Sequence, residues 1–422
     1  MPHDRIESRP MNRSVLTEHL RRGDHVVIGQ ATAEPVGLVG ELFGLAAGLG
    51  QLKVFCGFSL NPAWGDPLDA ALEVTTYCGL GTVRHLVARG AARVIPAQLS
   101  QLSSYFDAGV LKADIVLLQV SPADAEGYHS LGCTLDYVWN ALGVARAVLV
   151  EVNANVPRTR SACRLHRSRV IVAGESDTAL AELPAEAPDE RQLSVGRNVA
   201  RLVPDGAIIQ LGIGSMAAAV ARGLSRHRGL RVRSGMVGDW LPELLASGAI
   251  NTTDREACLA SLAAGSRSLY DCAGPEGVLG FATPAQLVAA DGQAAGAPFM
   301  AINSALEVDV AGQANAELVG TRYVGAVGGQ SDYFRAARRS PGGLAILALP
   351  ATFGAATKSR VVARLGSAYV TAAQSDVDVI VTEYGVADIR ATTLAERRRL
   401  IAALAEPRFR AALIQGEEHV LA

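Results

Sequence analysis

The stretch VPDGAIIQLGIGSMAAAVARGL (203–224) decides how this chain folds. A Pro-Asp-Gly turn leads into IIQL (208–211), Gly212-Ile213-Gly214 ends that short apolar run, and SMAAAVARGL continues with a helical pattern. An apolar run bounded by turn residues suits a strand buried on both faces of a parallel sheet, and a glycine exit into a helix is half of a crossover unit. The same phrase recurs on either side. DHVVIGQ (24–30), LKVFCGFS (52–59), ARVIPAQLS (92–100), ADIVLLQVS (113–121) and ARAVLVEVN (145–153) precede it, and RVRSGMV (231–237), GLAILALPA (343–351) and VDVIVTEYG (377–385) follow. VGLVGELFGLAAGL (36–49) and VRHLVARGAA (83–92) read as helices between strands.

AELPAEAPDERQ (181–192) is rich in Pro, Glu and Asp and reads as a linker. Its flanks open alike, RRGDHVVIGQ on one side and VPDGAIIQLGIG on the other. The expected fold class is therefore α/β, as two related open domains with mainly parallel sheets, residues 1–180 and 193–422 joined by 181–192. One large doubly wound sheet is the alternative.

Composition narrows the function classes. Of 422 residues, 49% are hydrophobic and 19% charged, enough apolar material for large cores and the opposite of a disordered chain. Lys+Arg 39 against Asp+Glu 41 leaves a net charge of −2, without the basic excess that nucleic acids or anionic membranes attract. No apolar run approaches the roughly 18 residues of a membrane span. The start, MPHDRIESRPMNRSVL, carries Asp4 and Glu7 and no apolar leader core. Cysteines at 56, 78, 133, 163, 258 and 272 form no CxxC pair and no cysteine–histidine ligand spacing, which predicts reduced thiols in a cytoplasmic protein and no metal centre.

The chemistry points to glycine loops. Gly212-Ile213-Gly214 exposes backbone N–H groups at a strand's carboxyl end, where an anion or oxyanion can sit. Ala217 stands at the third glycine position of a dinucleotide fingerprint, which argues against a nicotinamide site. Gly328-Gly329-Gln330 forms a second loop that reads either as a ligand cradle or as a surface turn. Around it Arg322, Arg335, Arg338, Arg339, Lys358 and Arg360 make a local cationic excess, suited to phosphates or to a solvated face. None of the eight histidines falls in a hydrolase or metalloprotease signature, and only His129, in EGYHSLG, has polar loop neighbours. Cys56, Cys78 and Cys133 lie in or beside apolar runs and read as buried thiols.

Taken together, LLQVSPADAEGYHSLGCTLDY (117–137), VLVEVNANVPRT (148–159), VPDGAIIQLGIG (203–214), FMAINSALEVDVAGQANAELVGTR (299–322), GAVGGQSDYFRAA (325–337) and VIVTEYGVADIRATTLAERRRLI (379–401) resemble the acetyl-CoA hydrolase/transferase family, which holds acyl-CoA:carboxylate CoA-transferases. The resemblance implies two α/β domains and ping-pong acyl transfer through a glutamyl anhydride and a glutamyl-CoA thioester. By the same resemblance Gly328 and Gly329, facing Gly212 and Gly214, supply oxyanion donors. Gln330, Asn303, Arg335, Lys358 and Arg360 are the expected contacts to CoA or acyl-CoA, which enters as substrate rather than as a cofactor.

The family's nucleophile is a glutamate in a segment reading roughly His-Ser-Glu-Met. This chain reads Arg233-Ser234-Gly235-Met236, with Asp239 and Glu243-Leu244 in register beyond it, so Gly235 occupies the nucleophile position. The family's Pro-Asn after the first glycine loop is here Ala217-Ala218, and its Arg-Gly-Ala after the second is Arg335-Ala336-Ala337. Three readings follow. Glu307, Asp239 or Glu243 substitutes in an ordinary CoA-transferase or acyl-CoA hydrolase; the cleft is repurposed for acyl transfer without a covalent glutamyl step; or the chain binds acyl-CoA without turning it over. The expected partners are a thioester on CoA or a carrier protein, a small-molecule acceptor, and a second copy of the chain in a homodimer.

Overall fold

A computed structural model describes residues 11–289, 296–354, 357–366 and 368–415. The first ten residues of the polar start lie outside that range. The chain divides into two compact units, Met1–Leu183 with Leu259–Gln286, and Pro184–Cys258 with Leu287–Ala422. The stretch 259–286 groups with the first unit because backbone bonds stitch it there. Leu135 N–H donates to the Ser261 carbonyl at 2.6 Å and Ala263 N–H to that of Cys133 at 2.9 Å, while Gly280 and Phe281 pair in parallel with Arg160 and Ser161.

The first unit is built on a seven-stranded sheet: β1 (His25–Ile28), β2 (Leu52–Cys56), β3 (Leu72–Thr76), β4 (Ala92–Val94), β5 (Ile115–Val120), β6 (Ala147–Asn153) and β7 (Ile171–Ser176). Their spatial order is β7-β6-β5-β1-β2-β3-β4, and every pairing is parallel. All six residues of β5 are buried, as its mostly apolar sequence requires of a central strand covered on both faces, and its one polar side chain, Gln119, donates to the Thr32 carbonyl. Helix α1 (Val36–Leu49) coincides with the predicted segment and buries Leu38, Val39, Leu42 and Ala46. The strand expected over 92–100 stops at Val94. Pro96 has no N–H to continue a ladder, and Gln98 with Gln101 caps a helix beginning at Leu99.

The second unit holds β8 (Ile208–Leu211), β9 (Arg231–Val237), β10 (Phe299–Asn303), β11 (Leu344–Ala348), β12 (Val379–Thr382) and β13 (Gly385–Asp388). These run in the order β13-β12-β11-β10-β8-β9, parallel except for β13, which folds back against β12. Helix α2 (Glu190–Ala200) begins inside the expected linker because Asp189 and Gln192 cap it reciprocally. Helices α3 (Ser215–Gly223) and α4 (Trp240–Ala246) follow β8 and β9. Helix α5 (Gln330–Arg339) buries Phe334, Ala336 and Ala337 and packs over β10 and β11. The carboxyl ends of β9, β8 and β10 thus lie side by side, which is where open α/β sheets receive ligands.

Candidate active site

Gly212 leaves β8 and Gly214 caps α3, with φ +88° and no side-chain cap on the helix. The first N–H groups of that helix therefore carry no capping side chain. Ser234, on β9, donates its hydroxyl to the Leu211 carbonyl. That bond sets Gly235 one residue further along, abreast of Gly212. Gly235 is buried within the strand, and its φ is not positive. Trp240, 2% exposed, donates its indole N–H to the Gly212 carbonyl at 2.8 Å and ties the loop to the start of α4.

On the other side of β8, Gln210 and Asn303 face each other at neighbouring strand ends. Asn303 Nδ2 donates to Gln210 Oε1 at 2.7 Å, and Gln210 Nε2 to Asn303 Oδ1 at 3.3 Å. The loop after Asn303 is strapped by two side chains. Gln330 Nε2 donates to the Ser304 carbonyl at 3.0 Å, and Arg360 Nη1 to that of Ala305 at 3.2 Å. Each strap keeps one buried polar atom without a protein partner, an acceptor in Gln330 Oε1 and a donor in Arg360 Nε. Such orphans cost about 1–3 kcal/mol each and call for a ligand group or a water. Burial, with repulsion from Arg191 added, holds the Arg360 guanidinium below its ordinary value.

Gly328 takes the left-handed φ of +57°. Gly329 follows at φ −96° as the cap residue of α5, again with no side-chain cap. Through Gln330, then, the second glycine loop sits beside the Asn303 loop, which Gln210 joins to the first.

The other candidates disperse. Arg335 pairs with Asp376 at 3.0 Å, and Arg338 reaches Asp376 and Asp378. Arg339 donates to the Val288 carbonyl. Lys358 and Arg360 flank the Phe353 ring at 5.8 and 5.6 Å. Glu243 pairs with Arg222 at 3.2 Å, and Glu307 accepts from Asn315 Nδ2 at 2.9 Å. Asp239 is the cap residue of α4 without a side-chain capping bond. Sequence reasoning passed over Gln210 and Trp240, although a glutamine inside the apolar run IIQL was a visible signal. Among the described residues no group of three or more His, Cys, Asp or Glu is placed to hold a metal ion, and no helix is long and apolar enough to cross a membrane.

Comparison with known proteins gives this arrangement a class. A 4-hydroxybutyrate CoA-transferase structure from Porphyromonas gingivalis superposes with a TM-score of 0.79 at 30% identity, over 96% of this chain and 95% of that one. RipA from Yersinia pestis superposes at 0.86 with 26% identity over 96% of each chain. The fold is that of a CoA-transferase. Residues 7–167 match the acetyl-CoA hydrolase/transferase N-terminal domain, and residues 265–416 match its C-terminal domain. The 4-hydroxybutyrate coenzyme A transferase of Clostridium kluyveri is 34% identical over 345 residues, 79% of each chain. The chain belongs to the acetyl-CoA hydrolase/transferase family and is an enzyme of that family. The Gly212–Gly214 loop and Gly235 fall between the two matched stretches.

Proposed function

We propose that this enzyme processes acyl thioesters by direct transfer to an acceptor, without a covalent glutamyl intermediate. The observation that carries the reading is Gly235, a buried residue without a side chain on β9, abreast of a glycine loop, with Ser234 bonded to the last residue of β8 before that loop and Trp240 bonded to Gly212 within it. Glycine has no carboxylate to form an anhydride. None of the substitutes considered from sequence is free: Glu243 pairs with Arg222, Glu307 accepts from Asn315, and Asp239 is engaged as well.

The uncapped N–H groups beginning α5, with the Gly328–Gly329 turn before them, polarise the thioester carbonyl. Preorganised donors of this kind contribute about 3–4 kcal/mol each to stabilising an oxyanion. The acceptor's heteroatom forms a bond to the carbonyl carbon, the carbon–sulfur bond breaks, and the acceptor's proton ends on the departing thiol. Gln330 Oε1 and Arg360 Nε, a buried acceptor and a buried donor beside one loop, match the N–H and C=O of a pantetheine amide. Lys358 and Arg360 supply positive charge for CoA phosphates.

The experiment is Gly235→Glu. The extended backbone at 235 accepts a side chain without left-handed strain, so the folded variant is expected to acquire CoA exchange between an acyl-CoA and acetate. A folded variant with neither adduct nor exchange would mean that the cleft is not a CoA-transferase site lacking one carboxylate.

A further inference from the structure

The first unit contains a cavity of about 300 Å³ lined by Asp124, Tyr128, His129, Arg158, Arg160, Cys163 and Arg164 together with Ser, Thr and backbone groups. None of these residues belongs to the glycine-loop site. Three arginines against Asp124 give the walls a positive excess.

His129 lines this cavity. The ring is 5% exposed, and the short strand Tyr128–His129 pairs antiparallel with Leu165–His166 to hold it in place. Its Nδ1 lies 2.7 Å from the Ser121 carbonyl. A carbonyl only accepts, so Nδ1 carries the hydrogen, and Nε2 has no protein partner. A histidine kept in the core for packing would have both nitrogens satisfied or excluded from open space; this one lines a cavity with one nitrogen open.

Arg158 supplies the second group. Its Nη2 donates to the Ala123 carbonyl at 2.8 Å, and among the described residues no carboxylate lies within ion-pair distance of it. Arg164, by contrast, is taken by Asp124 at 2.6 Å and Glu126 at 3.3 Å. The wall between them is rigid: Ser130 and Thr159 hydroxyls lie 3.1 Å apart, and Thr159 donates to the Gly132 carbonyl at 2.9 Å.

We propose that this cavity is a second ligand site, for a protonatable oxyanion group, a carboxylic acid or a hydrogen phosphate. The arginine fork donates to one oxygen of the group, and His129 Nε2 accepts the hydrogen bond of its O–H. The shared chemistry admits two sources, a free carboxylate and a phosphate, whether inorganic or carried by CoA.

Cys163 provides a local reporter. It is half-buried on the cavity wall, and burial pushes its thiol up, which marks it as a slow-labelling group rather than a nucleophile. The experiment titrates the full chain calorimetrically with succinate and, separately, inorganic phosphate at matched ionic strength. It then follows alkylation of Cys163 by N-ethylmaleimide in a Cys272→Ser background. The expected result is saturable binding that slows Cys163 alkylation and weakens at least tenfold in Arg158→Gln or, should that variant not fold, in His129→Gln. Succinate alone protecting Cys163 assigns the site to carboxylates; phosphate protecting it assigns it to phosphates. No saturable heat from either probe, binding within twofold of wild type in the folded variants, or an unprotected Cys163 would overturn the proposal. None of these readouts depends on turnover at the glycine loops.

Discussion

Gly328→Ala separates the conformational role of the second glycine loop from its steric one. A Cβ at 328 would meet nothing closer than the Ala326 Cβ at 3.9 Å, ordinary contact, so the substitution brings no clash. The backbone is another matter, because φ is +57° and the left-handed region costs a residue with a Cβ about 1–2 kcal/mol. The loop has two responses. It keeps its shape and stores that strain, lowering the melting temperature by roughly 2–8 °C for a unit of this size. Or it relaxes to negative φ, swings the 328–329 peptide, and withdraws the proposed oxyanion donor, which would cost about 3–4 kcal/mol of transition-state stabilisation, on the order of 10²–10³ in rate. Gly212→Ala is the stability control. It has no positive φ, and a Cβ there finds nothing within 4 Å, so its stability is expected to stay within about 0.5 kcal/mol of wild type. Thermal melting and release of free CoA thiol from a panel of acyl-CoA esters read both responses. A Gly328→Ala protein with wild-type melting and wild-type turnover would refute the reasoning, as would a Gly212→Ala protein destabilised as much as Gly328→Ala.

Two further outcomes follow from single contacts. Trp240→Phe keeps a ring but loses the 2.8 Å bond from indole N–H to the Gly212 carbonyl. It is expected to cost about 1 kcal/mol of stability and to lower kcat more than it raises KM, and a KM effect alone would contradict the positioning role. Asp136 in the first unit is pushed up to about 6 by burial, against hydrogen bonds from the Val138 backbone and the Gln30 side chain. A carboxyl whose folded value is raised binds more protons folded than unfolded, so its contribution to stability is full below about 4 and fades as pH rises through about 6. Asp136→Asn should flatten the pH dependence of chemical denaturation across that window, and an unchanged slope would show that another group sets it.

Much of the fold was legible because the central strands are covered on both faces and read as mostly apolar, β-branched-rich runs, as β5 does apart from Gln119. Helix α1 matched its predicted span, with Pro35 before it and Gly50, at φ +79°, after it. β3 (LEVTT) and β7 (IVAGES) escaped notice because they bury only part of their length and carry no such run. The VDVIVTEYG stretch concealed a reversal, since β12 ends at Thr382 and Gly385, at φ +145°, starts the antiparallel return.

The glycine loops were found by sequence, but their convergence depends on side chains distant along the chain: Gln210 on Asn303, Gln330 on Ser304. The basic cluster was legible as composition and not as geometry. Asp376 and Asp378, some forty residues after Arg335, take two of its members, while Lys358 and Arg360 gather at Phe353. No local pattern announces such long-range pairing.

The central claim is tested most directly by intact-mass spectrometry of the wild-type chain during incubation with acetyl-, butyryl- and succinyl-CoA plus carboxylate, amine and alcohol acceptors, with free thiol measured in parallel. The account predicts that CoA thiol is released, that the acyl group appears on an acceptor or on water, and that the protein mass never changes. A chain that gains the mass of CoA or of an acyl group, mapped to a glutamate or aspartate, would contradict it, because another carboxylate would then be doing what Gly235 cannot.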